Sequence, residues 1–347
     1  MSLEKLACPI ALQNKQILLA HGGGGRLTQQ LIADIFAPNF GMQEYAQHDA
    51  ATFTLNSAKL AFTTDSYVVK PLFFAGGDIG TLAVNGTVND LAMMGAKPLY
   101  LSVGFILEEG LSMEVLWQVV QSMRQAAAIA QVQIITGDTK VVDRGKGDAI
   151  FINTSGIGAI ATDLEIVPQS IQVGDAILLN GDIGRHGTTI MAMREGLEFE
   201  TEIQSDCAPL SDLVMALLEG GVVIHAMRDL TRGGLATALN ELAIAANVNI
   251  TLEEKAIAIQ ENVRSFCEIL GLDPLYVANE GRFVCFVPES SVEKAIAIAQ
   301  NFSPAGTQMQ VIGRVSDRVK PLVSMRGQMG VSRILSILSG EQLPRIC

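Results

Sequence analysis

The last residue of the chain is a cysteine, Cys347, which closes the run Gly340-Glu-Gln-Leu-Pro-Arg-Ile-Cys. A thiol at the tip of a tail can be loaded in one site and carried into another; a structural thiol has no reason to sit there. Glu341 to Cys347 extend to roughly 23–25 Å at ~3.3–3.6 Å per residue, enough to cross a small domain. Pro344 removes a backbone donor and turns its predecessor away from helix, so an extended arm is expected after a helix that stops near Gly340. Free cysteine titrates at about 8.5, and a nearby cation lowers that value. Arg345 favours the thiolate while the carboxylate on Cys347 itself opposes it. Activation must therefore come from positive charge in whatever site the thiol enters. A prenylation box needs its cysteine four residues from the end and is excluded. The plain alternative is an accidental cysteine on a disordered end.

Carboxylates supply the second set of candidates. Asp65 stands at the end or bend of a strand, Asp90 late in a helical segment, and Asp138 directly after a strand. Carboxylates from separate elements, joined by triphosphate oxygens, are a usual way to hold Mg²⁺. Singly, each aspartate is equally a cap or a turn residue. Lys140 follows Asp138 by two positions and can hold a phosphate or stabilise a developing oxyanion, or be a solvated loop lysine. Arg228-Asp-Leu-Thr-Arg-Gly-Gly234 sets two arginines and a Gly-Gly turn before a helix, again suited to an anion. Glu280, in Asn279-Glu-Gly-Arg282, is a general base if desolvated and a surface turn residue if not.

Gly22-Gly-Gly-Gly25 links a strand to a helix and can bring backbone N–H groups to an anion, or serve as a flexible turn. It is neither a Walker A loop nor a dinucleotide fingerprint, because no Gly-Lys-Ser/Thr follows and position 27 is Leu. Gly156-Ile-Gly-Ala-Ile-Ala161 matches GxGxxA on paper but opens no helix and reads as strand. His21, His48, His186 and His225 form no ligand-spaced cluster; His21 and His186 merely adjoin glycine-containing loops.

Strand-like and helix-like segments alternate along the whole chain. Strands are expected over Gln16–Ala20, Leu60–Val69, Leu99–Leu107, Val132–Thr136 and Ala149–Ile160, with helices over Leu27–Phe36, Asp78–Met94 and Met113–Ala130. Asn85 and Asn89 lie i, i+4 apart and share one helix face. Residues 137–145 are expected to be loop. Pro168 and Gly174 break the pattern, placing a domain boundary near residue 165. A second set follows: strand Ala176–Asn180, loop Gly181–Gly187, helices near Asp212–Glu219 and Leu235–Ala246, and strands near Arg282–Val287 and Gln310–Val315. The expected division is 1–165, 166–335 and a flexible tail, 336–347.

Bulk properties agree with this plan. The 347 residues are 49% hydrophobic and 17% charged, enough for two ordinary cores. A net charge of −12 argues against nucleic acid and anionic membrane as partners. With no long apolar run and no signal peptide over residues 1–20, a cytoplasmic protein is expected. The five cysteines are widely spaced with no CxxC pair, so neither a disulfide framework nor a zinc site is expected, and Cys285 reads as core.

His21-Gly-Gly-Gly-Gly25, Thr64-Asp-Ser66, Asn85-Gly-Thr-Val-Asn-Asp-Leu-Ala92, Gly137-Asp-Thr-Lys-Val141, Arg228-Asp-Leu-Thr-Arg-Gly-Gly234 and Pro344-Arg-Ile-Cys347 together resemble the hydrogenase maturation carbamoyl dehydratase family, HypE. The internal motifs are also similar to the wider superfamily of aminoimidazole ribonucleotide synthetase, thiamine monophosphate kinase and selenophosphate synthetase. The Pro-Arg-Ile-Cys ending is the specific part. The resemblance implies two α/β domains, the N-terminal ones sharing a β-barrel in a homodimer. It implies ATP bound near the dimer interface by Gly22, Gly23, Gly24, Gly25, Asp65, Asn89, Asp90, Asp138, Thr139, Arg228 and Arg232, with Mg²⁺ on Asp65, Asp90 and Asp138. Cys347, Lys140 and Glu280 become the catalytic residues. A HypF-like carbamoyltransferase would load Cys347, this chain would dehydrate the S-carboxamide to a thiocyanate, and a HypC–HypD-like iron scaffold would receive the cyano group. The rivals are another ATP-using enzyme of the superfamily and a non-catalytic thiol carrier. Arg26 after the glycine loop, with Cys8 the nearest cysteine, counts against selenophosphate synthetase.

Overall fold

The computed structural model describes residues 26–31, 33, 51–55, 58–160, 163–196, 203–302, 306, 308–317, 319–337, 343 and 345–347. The glycine loop Gly22–Gly25, the strand expected over Gln16–Ala20, Cys8, His21 and His48 lie outside them.

After a short helix α1 (Arg26–Leu31) come β1 (Ala51–Leu55), β2 (Ala58–Tyr67), β3 (Phe73–Phe74), β4 (Gly77–Asp78), α2 (Ile79–Met93), β5 (Ala96–Glu108), α3 (Met113–Ile129), β6 (Gln133–Val142) and β7 (Ile150–Ile160). The first sheet has the order β1-β2-β7-β5-β6. The second half contributes β8 (Ala176–Leu179), α4 (Arg185–Glu195), α5 (Ser211–Glu219), β9 (Ala226–Asp229), α6 (Gly234–Ala246), β10 (Asn249–Glu253), α7 (Glu261–Leu270), β11 (Phe283–Val287), α8 (Glu289–Ala299), β12 (Gln310–Asp317), β13 (Leu322–Arg326) and β14 (Ser332–Leu335). Its seven strands run β14-β13-β10-β12-β8-β11-β9. The α/β class is as the alternation predicts. Among the described residues no helix is long and apolar enough to cross a membrane.

Helix α2 packs against both halves of the molecule. Asp78 caps it, its carboxylate accepting from the N–H groups of Gly80 and Thr81 at 2.7 and 2.9 Å. The helix stops where Gly95 takes a φ of 66°. Almost every residue between is buried, because α2 packs on β2, β5, β7 and α3 and also on α5 and β9 of the second half. Gly86 is forced by that packing: a Cβ there would stand 2.2 Å from the Tyr67 hydroxyl.

Two expectations are corrected here. Residues 137–142 are strand, not loop: β6 continues beside β5 in parallel as far as Val142, pairing with Glu108. Gly137 permits this, since a Cβ would meet the Val103 carbonyl at 2.3 Å. The loop expected at Gly181–Gly187 is cut short, because α4 begins at Arg185 after Gly184, whose φ of 88° only glycine adopts readily.

Candidate active site

The described end of the tail, residues 345–347, lies on the body of the molecule. Ile346 is buried and Cys347 half-buried. The Val68 N–H donates to a carboxylate oxygen of Cys347 at 3.0 Å, and the His186 Nε2 sits 2.9 Å from the Ile346 carbonyl. Arg345 donates to the Val68 carbonyl and pairs with Asp148, while Arg194 donates to the Arg345 carbonyl. Arg345 takes a φ of 56°, so the chain turns there instead of extending, contrary to the sequence expectation. With its guanidinium committed to Asp148 and Val68, Arg345 is also not the cation that faces the thiol.

That cation is Arg232. Cys347 raises its pKa above the ordinary value, burial opposes the rise, and Asp65, Asp90 and Glu280 add to it. The same neighbourhood acts on the thiol: burial pushes the Cys347 pKa up to about 12, Arg232 pulls it down, and Glu280, Asp65 and Asp229 push it further up. The docked thiol is thus protonated at neutral pH and a poor nucleophile.

Glu280 is no surface turn residue. Only 3% of it is exposed, and among the described residues its Oε1 has no hydrogen-bond partner. Burial, then the charges of Asp229, Asp65 and Asp206, raise its pKa well above the usual carboxylate range. The turn that carries it is fixed on every side. Asp206 accepts from the Glu280 and Gly281 N–H groups at 3.3 and 3.2 Å. Asn279 spends its side chain on Gly184, Leu230 and Val277, and Arg282 is locked to Asp182 and the Gly281 carbonyl. A Cβ on Gly281 would stand 2.0 Å from the Asp206 carbonyl, so the turn needs glycine. A buried carboxylate with a free oxygen, held rigid, is what a general base requires.

The other predicted residues separate into three groups. Asp65 and Asp90 lie on the α2 side of the first sheet, within the electrostatic reach of Arg232, with Asp90 accepting from Thr63 at 2.7 Å. Asn89 has a structural task, joining α2 to the second half: its amide donates to the Ala208 and Glu280 carbonyls and accepts from Leu210. Arg228 pairs with Glu241 at 2.9 Å. Asp138 and Lys140 are elsewhere. Asp65 pairs in register with Thr154, Thr154 with Val103 and Val103 with Gly137, while Asp138 pairs with Gly104, Gly104 with Asn153 and Asn153 with Ser66. Paired residues share a face. Asp138 and Lys140 therefore point away from α2, on an edge strand three spacings (~14 Å) from β2. Both are exposed and pair with each other; Thr139 sits between them. Asp65, Asp90 and Asp138 thus do not converge within the chain. Among the described residues no group of three or more His, Cys, Asp or Glu is placed to hold a metal.

Sequence reasoning missed three residues. Asp229 is buried, its carboxyl raised to about 6 by burial against the pull of Arg228. Its signal lay inside the Arg228–Gly234 run, where the arginines drew attention. Asp206 and His186 carried no local signal, because their importance comes from what the fold brings to them.

Fold and site together define a two-domain protein of the AIR synthase-related class. The family descriptions that match are "AIR synthase related protein, N-terminal domain" over residues 47–160 and its C-terminal counterpart over 172–324. The carbamoyl dehydratase HypE of Rhodobacter capsulatus is 48% identical over 341 residues, covering 97% of this chain and 100% of that protein. Escherichia coli carbamoyl dehydratase HypE is 45% identical over 337 residues, or 95% and 99% of the two chains. A crystal structure of a HypE–HypF complex superposes with a TM-score of 0.83 at 44% identity, covering 89% of this chain and 99% of that one. A HypE structure in complex with ATP gives 0.80 at 48%, covering 96% and 100%. The chain belongs to the HypE family.

Proposed function

We propose that this chain dehydrates an S-carbamoyl group on its own Cys347 to a thiocyanate at the expense of ATP, supplying the cyanide ligand for the iron of a [NiFe] hydrogenase. The observation that carries the reading is the docked Cys347 beside a cation, Arg232, and a rigid buried base, Glu280. Relatives named carbamoyl dehydratase and a HypE solved with ATP support it.

An amide oxygen is a very poor leaving group. In the proposed sequence the carbamoyl oxygen attacks the γ-phosphorus of ATP, ADP leaves, and an N–H proton passes to Glu280. The C–O bond then breaks, phosphate leaving with the bonding pair and taking up the second N–H proton, which leaves S–C≡N. Arg232 faces the oxygen that bears developing charge. Asp65 and Asp90 suit Mg²⁺, which is usually bound by one or two carboxylates plus substrate phosphates, and when bound it would neutralise charge on the transferring group. The positioning task falls to the tail, and its seat on Val68 and His186 answers that need. Water must be kept out, because it would hydrolyse the activated amide.

Among the described residues nothing covers the sheet face opposite α2, where Phe62, Tyr100 and Ile106 are each at least 40% exposed. A second copy of the chain is the occupant we infer, its sheet closing the barrel against β6 and setting Asp138, Thr139 and Lys140 at a shared interface. Ile135→Lys on β6 is expected to convert a dimer to monomer in sedimentation velocity; an unchanged dimer overturns the pairing. A HypF-like carbamoyltransferase loads the tail, a HypC–HypD-like scaffold unloads it, and the setting is cytoplasmic. Gly22–Gly25 and Arg228 remain assigned to ATP.

The deciding experiment is the intact mass of the protein after exposure to the carbamoyltransferase and carbamoyl donor, then to ATP and Mg²⁺. Cys347 is expected to gain one carbamoyl group and to lose one water only with ATP. Loading without water loss makes the chain a carrier.

A further inference from the structure

His186 is fully buried in the first turn of α4, and its ring takes no part in the bond-making and bond-breaking steps of the proposed reaction. Nδ1 lies 2.8 Å from the Ser205 hydroxyl and Nε2 lies 2.9 Å from the Ile346 carbonyl. The Ser205 oxygen also accepts from the Cys207 N–H at 3.1 Å, which leaves its O–H to donate to Nδ1. A neutral imidazole that accepts at Nδ1 carries its proton on Nε2, and the Ile346 carbonyl can only accept. The chain Cys207 N–H, Ser205 O–H, His186 Nε2–H, Ile346 C=O therefore runs in one direction and fixes the tautomer. Phe74 holds the ring edge-on, 5.4 Å between centroids at 81°. Asp206 accepts from the His186 N–H through Oδ1 and from the Glu280 turn through Oδ2. One carboxylate thus references the clamp and the base to each other.

We propose that His186 is the positioning residue that sets the register of the tail, holding the Ile346–Cys347 peptide so that the loaded sulfur arrives beside Glu280 and Arg232. A slip by one residue moves the sulfur by about 3.3–3.6 Å, beyond any reacting distance. The ring itself touches neither the carbamoyl group nor ATP. The clamp rests on the dehydratase reading for its purpose, but its existence does not.

The test compares wild type with His186→Leu, His186→Gln and Ser205→Ala in the full chain. The first readout is alkylation of Cys347 by iodoacetamide, scored on the peptide that contains it. The second is conversion of carbamoyl-Cys347 to thiocyanate by mass. His186→Leu is expected to speed alkylation about tenfold, on the scale of one lost buried hydrogen bond, and to slow conversion about a hundredfold. Carbamoyl loading should not slow. His186→Gln, which keeps an N–H donor, should recover part of both effects, and a residue with a merely structural role would not give that recovery. Ser205→Ala leaves the ring in place and should shift both readouts in the same direction, which keeps the test open if His186→Leu does not fold. Wild-type alkylation rates in Ser205→Ala and in whichever His186 variants fold overturn the clamp. If wild type itself fails to lose water, the dehydratase reading falls while the alkylation series still decides the docking.

Discussion

Cys347→Ala is expected to abolish thiocyanate formation completely while leaving ATP binding at its wild-type affinity. The sulfur is the atom that carries the carbamoyl group, so no partial activity survives its loss. Among the described residues, the Val68 N–H, His186, Arg194 and the Arg345 guanidinium hold residues 345–347 through bonds directed at backbone or at Asp148. The alanine variant should therefore dock like wild type, and isothermal titration with ATP and Mg²⁺ checks that the nucleotide site is intact. A kinase on the same fold would be indifferent to this change, so the variant also separates the two reactions. Thiocyanate found on the alanine variant would move the carrier elsewhere, and half-buried Cys207, 3.6 Å from the Asn85 amide, would be examined next.

Glu280→Gln is expected to slow conversion of carbamoyl-Cys347 by about 10²–10⁴, the usual worth of a positioned general base. Wild-type conversion should rise with pH as Glu280 loses its proton, at a pH above the ordinary carboxylate range because burial holds that proton on. Stability must move the opposite way. The folded state binds the Glu280 proton more tightly than the unfolded state, so the favourable contribution is complete below the unfolded pKa and is lost as pH climbs through the folded one. Glutamine has no such proton to lose. Melting curves of the two proteins should therefore converge near pH 4 and separate toward pH 8, with the variant the more stable. Equal melting temperatures across that range would mean that Glu280 is not strained by its site, and the base assignment would go with it.

Local pattern revealed the elements well. The buried alternation of β2, the Asp78 cap and the Gly95 stop could all be read from neighbouring residues. Which carboxylates meet could not. Asp138 looks like a partner of Asp65 when each is read as the end of a strand, but the order β2-β7-β5-β6 and the parity of the pairing put them on opposite faces. Neither strand order nor parity is written within a few residues of either aspartate. His186 shows the same limit from the other side. Its partners, Ser205 and Ile346, come from a separate segment and from the tail, so only the folded chain makes it informative. The tight turn Asn279-Glu-Gly-Arg282 singled Glu280 out, but it suits a surface residue equally well, and only the packing around it shows that the carboxylate is buried.

The docked tail has a consequence for kinetics. In this arrangement the thiocarbamate belongs to the same molecule as the catalyst, so the dehydration step has no Michaelis constant for it and no second-order term. Its rate constant is the docked fraction multiplied by the chemical step, and diluting the loaded protein a hundredfold should leave the half-life unchanged. Each molecule turns over once per visit to its partners, so flux toward the hydrogenase is governed by how often the tail is emptied and refilled. Improving the chemistry beyond that exchange rate would bring the pathway nothing.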